Sequence, residues 1–154
     1  MLLNENEILL VEDNDADVEL TLLALRGEKL CNNIHVVRDG AEALDFMFCR
    51  GAYQQRAGCP LPRLVLLDLK LPKVDGLEVL RQLKQHEETR LIPVVVMTSS
   101  REESDLWKSY QLGTNSYIQK PVDFTSFRDT VKQLGLYWLI VNQVPSVRVA
   151  TSTT

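Results

Sequence analysis

Three stretches of the chain are apolar without interruption: Ile8 to Val11 (Ile-Leu-Leu-Val), Leu64 to Leu67 (Leu-Val-Leu-Leu) and Pro93 to Met97 (Pro-Val-Val-Val-Met). A strand with one wet face would alternate polar and apolar residues, so unbroken runs of this length predict strands buried on both faces of a parallel sheet. Pro93 sits at the first position of its run, where a strand tolerates a missing N–H. Ile34 to Val37 and Ser116 to Gln119 predict two shorter strands. Between the runs the apolar spacing changes to that of helices. Val18, Leu22 and Leu25 mark one ending at Gly27; Ala43, Leu44, Met47 and Phe48 a second, opened by Asp39-Gly40; Leu77, Leu80 and Leu83 a third. Residues 101–111 are helical by composition, and Asp123 caps a last helix with Phe124, Phe127, Val131 and Leu134 on one face. Five strands alternate with five helices, which predicts an α/β domain with a parallel sheet between two helical layers and right-handed crossovers.

Cys49 to Arg63 breaks the alternation. It is rich in Gly, Pro and polar residues and predicts a long surface loop, read as a tolerated insertion ahead of a partner-binding role. At 154 residues and 45% hydrophobic, the chain can bury one sizeable core. A net charge of −4 without a basic run argues against nucleic acid as the main ligand, and no apolar stretch approaches the ~20 residues of a membrane span. Three cysteines, Cys31, Cys49 and Cys59, lack metal-ligand spacing and predict free thiols in a reducing, cytoplasmic setting.

The candidate chemistry lies where the apolar runs stop. Strand one ends in Glu12-Asp13, strand three in Asp68, strand four in Thr98 and strand five in Lys120. Ligands of open parallel sheets sit beyond the carboxyl ends of the strands, so one pocket collects these residues. Three converging carboxylates repel one another unless a cation lies among them, and oxygen donors of this kind suit Mg2+. With two histidines, His35 and His86, and no thiol beside the acids, zinc has little support. Lys120 and Thr98 supply the cation and the hydroxyl that hold oxygens of a transferring phosphoryl group, which points to phosphoryl transfer onto Asp68. Asp75, three residues before Glu78, reads as a capping box, and Asp15 and Asp17 as acids in the first turn of a helix.

From Ile8 to about Val141 the chain resembles the receiver domain of two-component response regulators. The matching pieces are Ile-Leu-Leu-Val-Glu-Asp at 8–13, Leu-Leu-Asp-Leu-Lys-Leu-Pro at 66–72 with Asp75-Gly76, Val-Val-Met-Thr-Ser at 95–99, and Lys120-Pro121. The segment Glu-Asp-Asn-Asp-Ala-Asp, the long loop and the ending Tyr-Ile-Gln-Lys-Pro-Val-Asp are similar to the small response regulators that partner cyanobacterial phytochrome kinases. The resemblance implies a flavodoxin-like strand order 2-1-3-4-5, with residues 1–143 as the receiver and 144–154 as a disordered tail. It implies Asp68 as phosphoacceptor, and Mg2+ held by Asp13, Asp68 and the carbonyl of Lys70, with Glu12 assisting through water. Lys120 would pair with the phosphoryl group. Thr98 would move to it, and Tyr117 would turn inward with Thr98. The peptide before Pro121 would be cis, and Lys70 and Ser100 occupy positions that modulate dephosphorylation. The catalysis implied is limited to the chain's own phosphorylation and dephosphorylation.

His86 to Arg90 superficially resembles a kinase phosphohistidine segment but sits in a short connection, so the phosphodonor is expected to be a separate histidine kinase, with a phytochrome among the candidates. The stretch Leu136 to Val141 is apolar all round and needs a second surface. The expectation is a homodimer through the helix at 101–111, strand five and the last helix, with Trp107, Tyr110, Tyr137 and Trp138 at the interface. The alternative cover is the C-terminal tail. Output would be a contact with a downstream protein of unknown identity. Two rival functions remain: a pseudo-receiver that signals without phosphate, and a Mg2+-dependent phosphohydrolase. The second lacks an acid two residues beyond Asp68, where Lys70 stands.

Overall fold

A computed structural model describes residues 8–27, 33–143 and 145. The strands are β1 (Ile8–Val11), β2 (Ile34–Val37), β3 (Leu64–Leu67), β4 (Val94–Thr98) and β5 (Ser116–Gln119), all parallel in the order β2-β1-β3-β4-β5. The helices are α1 (Asp15–Gly27), α2 (Gly40–Met47), α3 (Gly76–Gln85), α4 (Glu103–Leu112) and α5 (Phe124–Gly135). β1 pairs with β2 through Ile8–Ile34 and with β3 through Ile8–Leu64, so the three strands end level.

Period-two geometry turns each apolar run into two core faces. Leu9, Val11, Val65, Leu67, Val94 and Val96 face the layer of α2 and α3, with Leu112 of α4 packed alongside. Ile8, Leu10, Leu64, Leu66, Val95 and Met97 face the layer of α1 and α5. That is why these strands show no polar alternation. On α2 the buried aromatic is Phe46, while Phe48 is half-buried. On α5 Phe127, Val131 and Leu134 are buried and Phe124 is exposed.

The 49–63 segment is not an unpacked loop. Gly51–Arg56 forms a 3-10 helix. The Tyr53 hydroxyl donates to Glu42 at 2.6 Å and lies 3.1 Å from His35 Nε2, and the Tyr53 ring meets Phe46 edge-on at 5.1 Å. The Arg56 guanidinium stacks 3.6 Å over the Phe46 ring and donates to the Phe46 carbonyl at 2.7 Å. Burial, reinforced by Glu42, pushes the Tyr53 phenol up to about 12. These contacts come from α2 and β2, so nothing inside the segment's own composition announces them.

After α5 the chain continues through a π-helical stretch, Leu136–Val141. Leu139 is buried and Trp138 packs half-buried against the α1/α5 core, whereas Leu136, Tyr137, Ile140 and Val141 are exposed. Arg63 ties this stretch to the start of β3 by donating to the Leu139 carbonyl at 2.9 Å. Cys49 and Cys59 are free thiols; Cys31, residue 144 and residues 146–154, which carry most of the expected tail, lie outside the described residues. Among the described residues no helix is long and apolar enough to cross a membrane.

Candidate functional site: an acidic pocket at the carboxyl edge of the sheet

Each strand that carries a predicted site residue delivers it to the same edge. Asp68 follows β3, and its N–H donates to the Val11 carbonyl at 3.1 Å; Glu12 follows β1, and its N–H donates to the Val37 carbonyl at 3.0 Å. The sheet ladder thus runs into the site and sets the backbone of both acids. The loop after Asp68 is held by Gly76, where a Cβ would lie 2.3 Å from the Asp68 carbonyl oxygen and 2.5 Å from Leu69 Cα. Only a residue without a side chain permits this approach of α3 to the end of β3. Asp75 caps α3 by accepting from the Glu78 N–H at 3.0 Å. The reciprocal half of the expected box is not made: the Glu78 carboxylate turns to Arg81 and Gln82.

Carboxylate oxygens of Glu12, Asp13 and Asp68 all lie within 4.8 Å of one another. Glu12 and Asp68 are buried and Asp13 is exposed. Asp68 uses both oxygens: Oδ1 accepts from the Lys70 N–H at 3.2 Å and Oδ2 from Lys120 Nζ at 3.0 Å. Lys120 Nζ also donates to Glu12 at 2.6 Å and to Asp17 at 2.7 Å. An ammonium has three N–H donors, and all three are used. Burial and the nearby Asp68 charge raise the Glu12 carboxyl to about 7 despite Lys120. Lys120 moves the opposite way for a buried amine: burial pulls it down, but the bonds to Asp17 and Glu12 and the Asp68 charge carry it above the ordinary lysine value. One cation among these acids leaves an excess of negative charge. All the donors are oxygens, which fits a small hard divalent ion.

Beside these acids an open cavity of about 430 Å³ is lined by Asp13, Lys70, Pro72, Asp75, Leu77 and Asp105, among others. Thr98 is fully buried, and its hydroxyl accepts from the Ser100 N–H at 3.2 Å. Ser100 in turn donates to Asp105 at 2.6 Å, and the Lys70 ammonium stands 3.6 Å from the same Asp105 oxygen. Tyr117 already points inward with its hydroxyl buried and outside well-formed hydrogen-bond geometry; burial raises its phenol, and the neighbouring Ser100 side chain offsets part of that rise. The peptide between Lys120 and Pro121 is trans, not cis.

Glu12, Asp13, Asp68, Lys120 and the Lys70 N–H are therefore brought together, and Thr98 joins them through its carbonyl, which accepts from the Lys120 N–H at 2.7 Å, while its hydroxyl is engaged by Ser100. Trp107 and Tyr110 are exposed on α4 and Tyr137 on the π-helical stretch, while Trp138 is largely committed to its own core. Two residues escaped the sequence reading. Asp17 is not merely an acid of the α1 first turn, and Asp105, also in a first turn, is the buried partner of Ser100. Both look like ordinary dipole acids along the chain, and only their long-range partners distinguish them.

A family model for the response regulator receiver domain matches residues 8–132. The chain belongs to the receiver domain family. Among curated relatives this receiver is 45% identical over 138 residues to a probable methanogenesis regulatory protein, FilR2, of Methanothrix harundinacea, covering 90% of this chain and 86% of the relative. It is 38% identical over 139 residues to the response regulator Rcp1 of Synechocystis, covering 90% and 92%. Among solved structures it resembles the Mn2+-bound form of Rcp1, with a TM-score of 0.85 over 92% of this chain and 99% of that one. It also resembles the phosphorylated cyanobacterial phytochrome response regulator RcpA, with a TM-score of 0.86, 38% identity and coverage of 92% and 100%. The fold and family are those the motifs implied, and the receiver belongs with regulators of two-component systems.

Proposed function

We propose that this receiver is a phosphorylation-controlled signalling module in which Asp68 accepts a phosphoryl group from a histidine kinase. The observation that carries the reading is the convergence of Asp68 with Glu12, Asp13 and Lys120 within hydrogen-bonding and metal-binding reach of one another. An Asp68 carboxylate oxygen forms a bond to phosphorus as the P–N bond of the kinase phosphohistidine breaks, and the imidazole leaves with the bonding pair. Glu12, Asp13, Asp68 and the Lys70 backbone would hold Mg2+, which when bound supplies positive charge to the incoming phosphoryl oxygens. The Mn2+-bound form of Rcp1 and the phosphorylated form of RcpA support this by similarity. Lys120 pairs with one phosphoryl oxygen and Thr98 with another. For Thr98 this means giving up the bond from Ser100, which links the site to the start of α4.

The kinase is a separate protein acting in the cytoplasm, and the description of RcpA as a phytochrome response regulator supports a phytochrome kinase as donor. Output is a protein contact. The exposed apolar residues Trp107 and Tyr110 on α4, and Leu136, Tyr137, Ile140 and Val141 beyond α5, support a second copy of the chain as one contact, with Trp138 behind that surface. Substituting Ile140→Asp should then shift sedimentation toward the monomer without unfolding the protein.

Intact mass after incubation with Mg2+ and a small acyl phosphate tests the main reading. Wild type should gain one base-labile phosphoryl group and Asp68→Ala none. No gain by wild type, from the acyl phosphate or from candidate kinases, would leave a receiver that signals without phosphate. Steady turnover of small phosphoesters would instead identify a hydrolase.

A further inference from the structure

Lys120 is shared among three carboxylates, and the three do not have equal futures in the reaction. Glu12 and Asp68 both belong to the cluster with metal-binding reach, and Asp68 must also release an oxygen to phosphorus. Asp17 is in neither role: it lies outside that cluster, yet its Oδ2 is 2.7 Å from Lys120 Nζ, as close as Glu12 within 0.1 Å. It is also held on a rigid element. Its N–H donates to the Asn14 side chain at 2.9 Å, its carbonyl accepts from the Thr21 hydroxyl at 2.8 Å, and Thr21 is buried in α1. An acid serving only the α1 dipole would turn to the free N–H groups of its own first turn. This one reaches across 103 residues of sequence to the lysine at the end of β5.

We infer that Asp17 is a positioning residue that tethers Lys120, keeping its ammonium over Asp68 when metal and phosphorus draw Glu12 and Asp68 away. All three Lys120 donors are spent in the resting pocket, so a phosphoryl oxygen takes the place of one existing acceptor. Release of Asp68 or Glu12 provides that place, and Asp17 is the acceptor that stays. Without it the four-carbon lysine stem would be free to leave the site once its other two partners were engaged elsewhere.

This inference rests on phosphoryl transfer to Asp68, and the experiment separates the two. The first arm uses the metal-free protein. The side-chain ammonium of 15N-labelled Lys120 should give a slowly exchanging signal in wild type, a faster one in Asp17→Asn, which keeps an oxygen acceptor but no charge, and the fastest in Asp17→Ala. The second arm measures phosphoryl uptake from a small acyl phosphate alongside Mg2+ affinity by titration. Asp17→Ala should lower the uptake rate about tenfold and Asp17→Asn about threefold, the loss of one charge-assisted hydrogen bond, with Mg2+ affinity within about twofold of wild type. An unchanged Lys120 exchange rate or unchanged uptake in Asp17→Ala overturns the tether. Loss of Mg2+ affinity in parallel with uptake overturns it too, by making Asp17 part of the metal set. If wild type takes up no phosphoryl group, the reading of Asp68 fails and the tether falls with it. Folding of both variants is checked by thermal melting, and Asp17→Asn is nearly isosteric should Asp17→Ala not fold.

Discussion

The acidic pocket and the α4–β5 face below it are built on opposite principles. In the pocket the polar groups are partnered several times over: Lys120 by three acids, Asp68 on both oxygens, Glu12 by Lys120 and by the Asn14 N–H at 3.1 Å. On the other face the Ser109 hydroxyl of α4 is buried without a hydrogen-bond partner among the described residues, and the Tyr117 hydroxyl of β5 is buried outside well-formed hydrogen-bond geometry, with Ser100 as its polar neighbour. An unmade buried hydrogen bond costs roughly 1–3 kcal/mol, so that face holds its arrangement with a smaller margin than the pocket does. Between them stands one chain of bonds, Thr98 to Ser100 to Asp105. Under the proposed function, a tightly specified pocket joined to a loosely specified face is an arrangement in which a small rearrangement at Thr98 would repopulate the conformations of α4.

The contrast can be tested from its strongest element downward. Lys120→Met leaves three acids without their cation, two of them buried, and should destabilise the metal-free protein at neutral pH by about 3–5 kcal/mol, the usual cost of breaking a buried pair. Chemical denaturation would show the loss, and lowering the pH to protonate the acids should recover part of it. Equal stability of the variant and wild type would mean that the pocket is solvated rather than tightly specified.

Gly76→Ala places a Cβ 2.3 Å from the Asp68 carbonyl oxygen and should cost about 2–3 kcal/mol through strain. Because the clash is with the backbone of Asp68, the proposed acceptor, phosphoryl uptake should fall as well. A stable variant with normal uptake would show that the approach of α3 does not set Asp68.

The third test is pH. Glu12 titrates at about 7 in the folded protein, above the usual 4.5, so the fold prefers its neutral form. As pH rises from 4.5 through 7 the metal-free fold therefore loses stability from this group, because the unfolded state gives up the proton more readily. Mg2+ requires the ionised form, and its affinity should rise about fivefold from pH 6 to pH 7 and less than twofold from pH 7 to pH 8. A flat affinity across that range would remove Glu12 from the metal set.

The smallest effect is expected at the other end of the comparison. Tyr117→Phe deletes a buried hydroxyl whose polar neighbour, Ser100, lies outside well-formed hydrogen-bond geometry, and should leave stability unchanged or raise it by less than about 1 kcal/mol. A loss above that would reveal a partner for the hydroxyl and weaken the case for a loosely specified face.

How far the pattern of residues carries can be judged element by element. The four-residue apolar runs at Ile8 and Leu64 match β1 and β3 residue for residue, because a strand buried on both faces leaves no position for a polar side chain. The acids and the lysine were legible for a related reason. A polar residue directly after such a run can only stand at the end of its strand, and parallel strands share one carboxyl edge. The 49–63 segment was not legible in this way. Its order comes from Phe46, Glu42 and His35, none of which lies within it. Phe46 rather than Phe48 entered the core because the 3-10 helix returns over α2, a contact that helical periodicity does not encode.

By itself, then, the chain determined the sheet, its two helical layers, and which residues gather at its carboxyl edge, since all of these follow from local burial pattern and strand ends. Tertiary structure alone decided how those residues are paired. The sequence pattern gathers Glu12, Asp13 and Asp68 around Lys120, yet the lysine binds Glu12, Asp68 and Asp17, and not Asp13. Asp105 belongs to Ser100, and Trp138 belongs to its own core rather than wholly to the surface. Local pattern is set by neighbours a few residues away. The choice of a partner for a charge is set by side-chain reach and burial between segments separated by fifty to a hundred residues, and those distances exist only after the chain has folded.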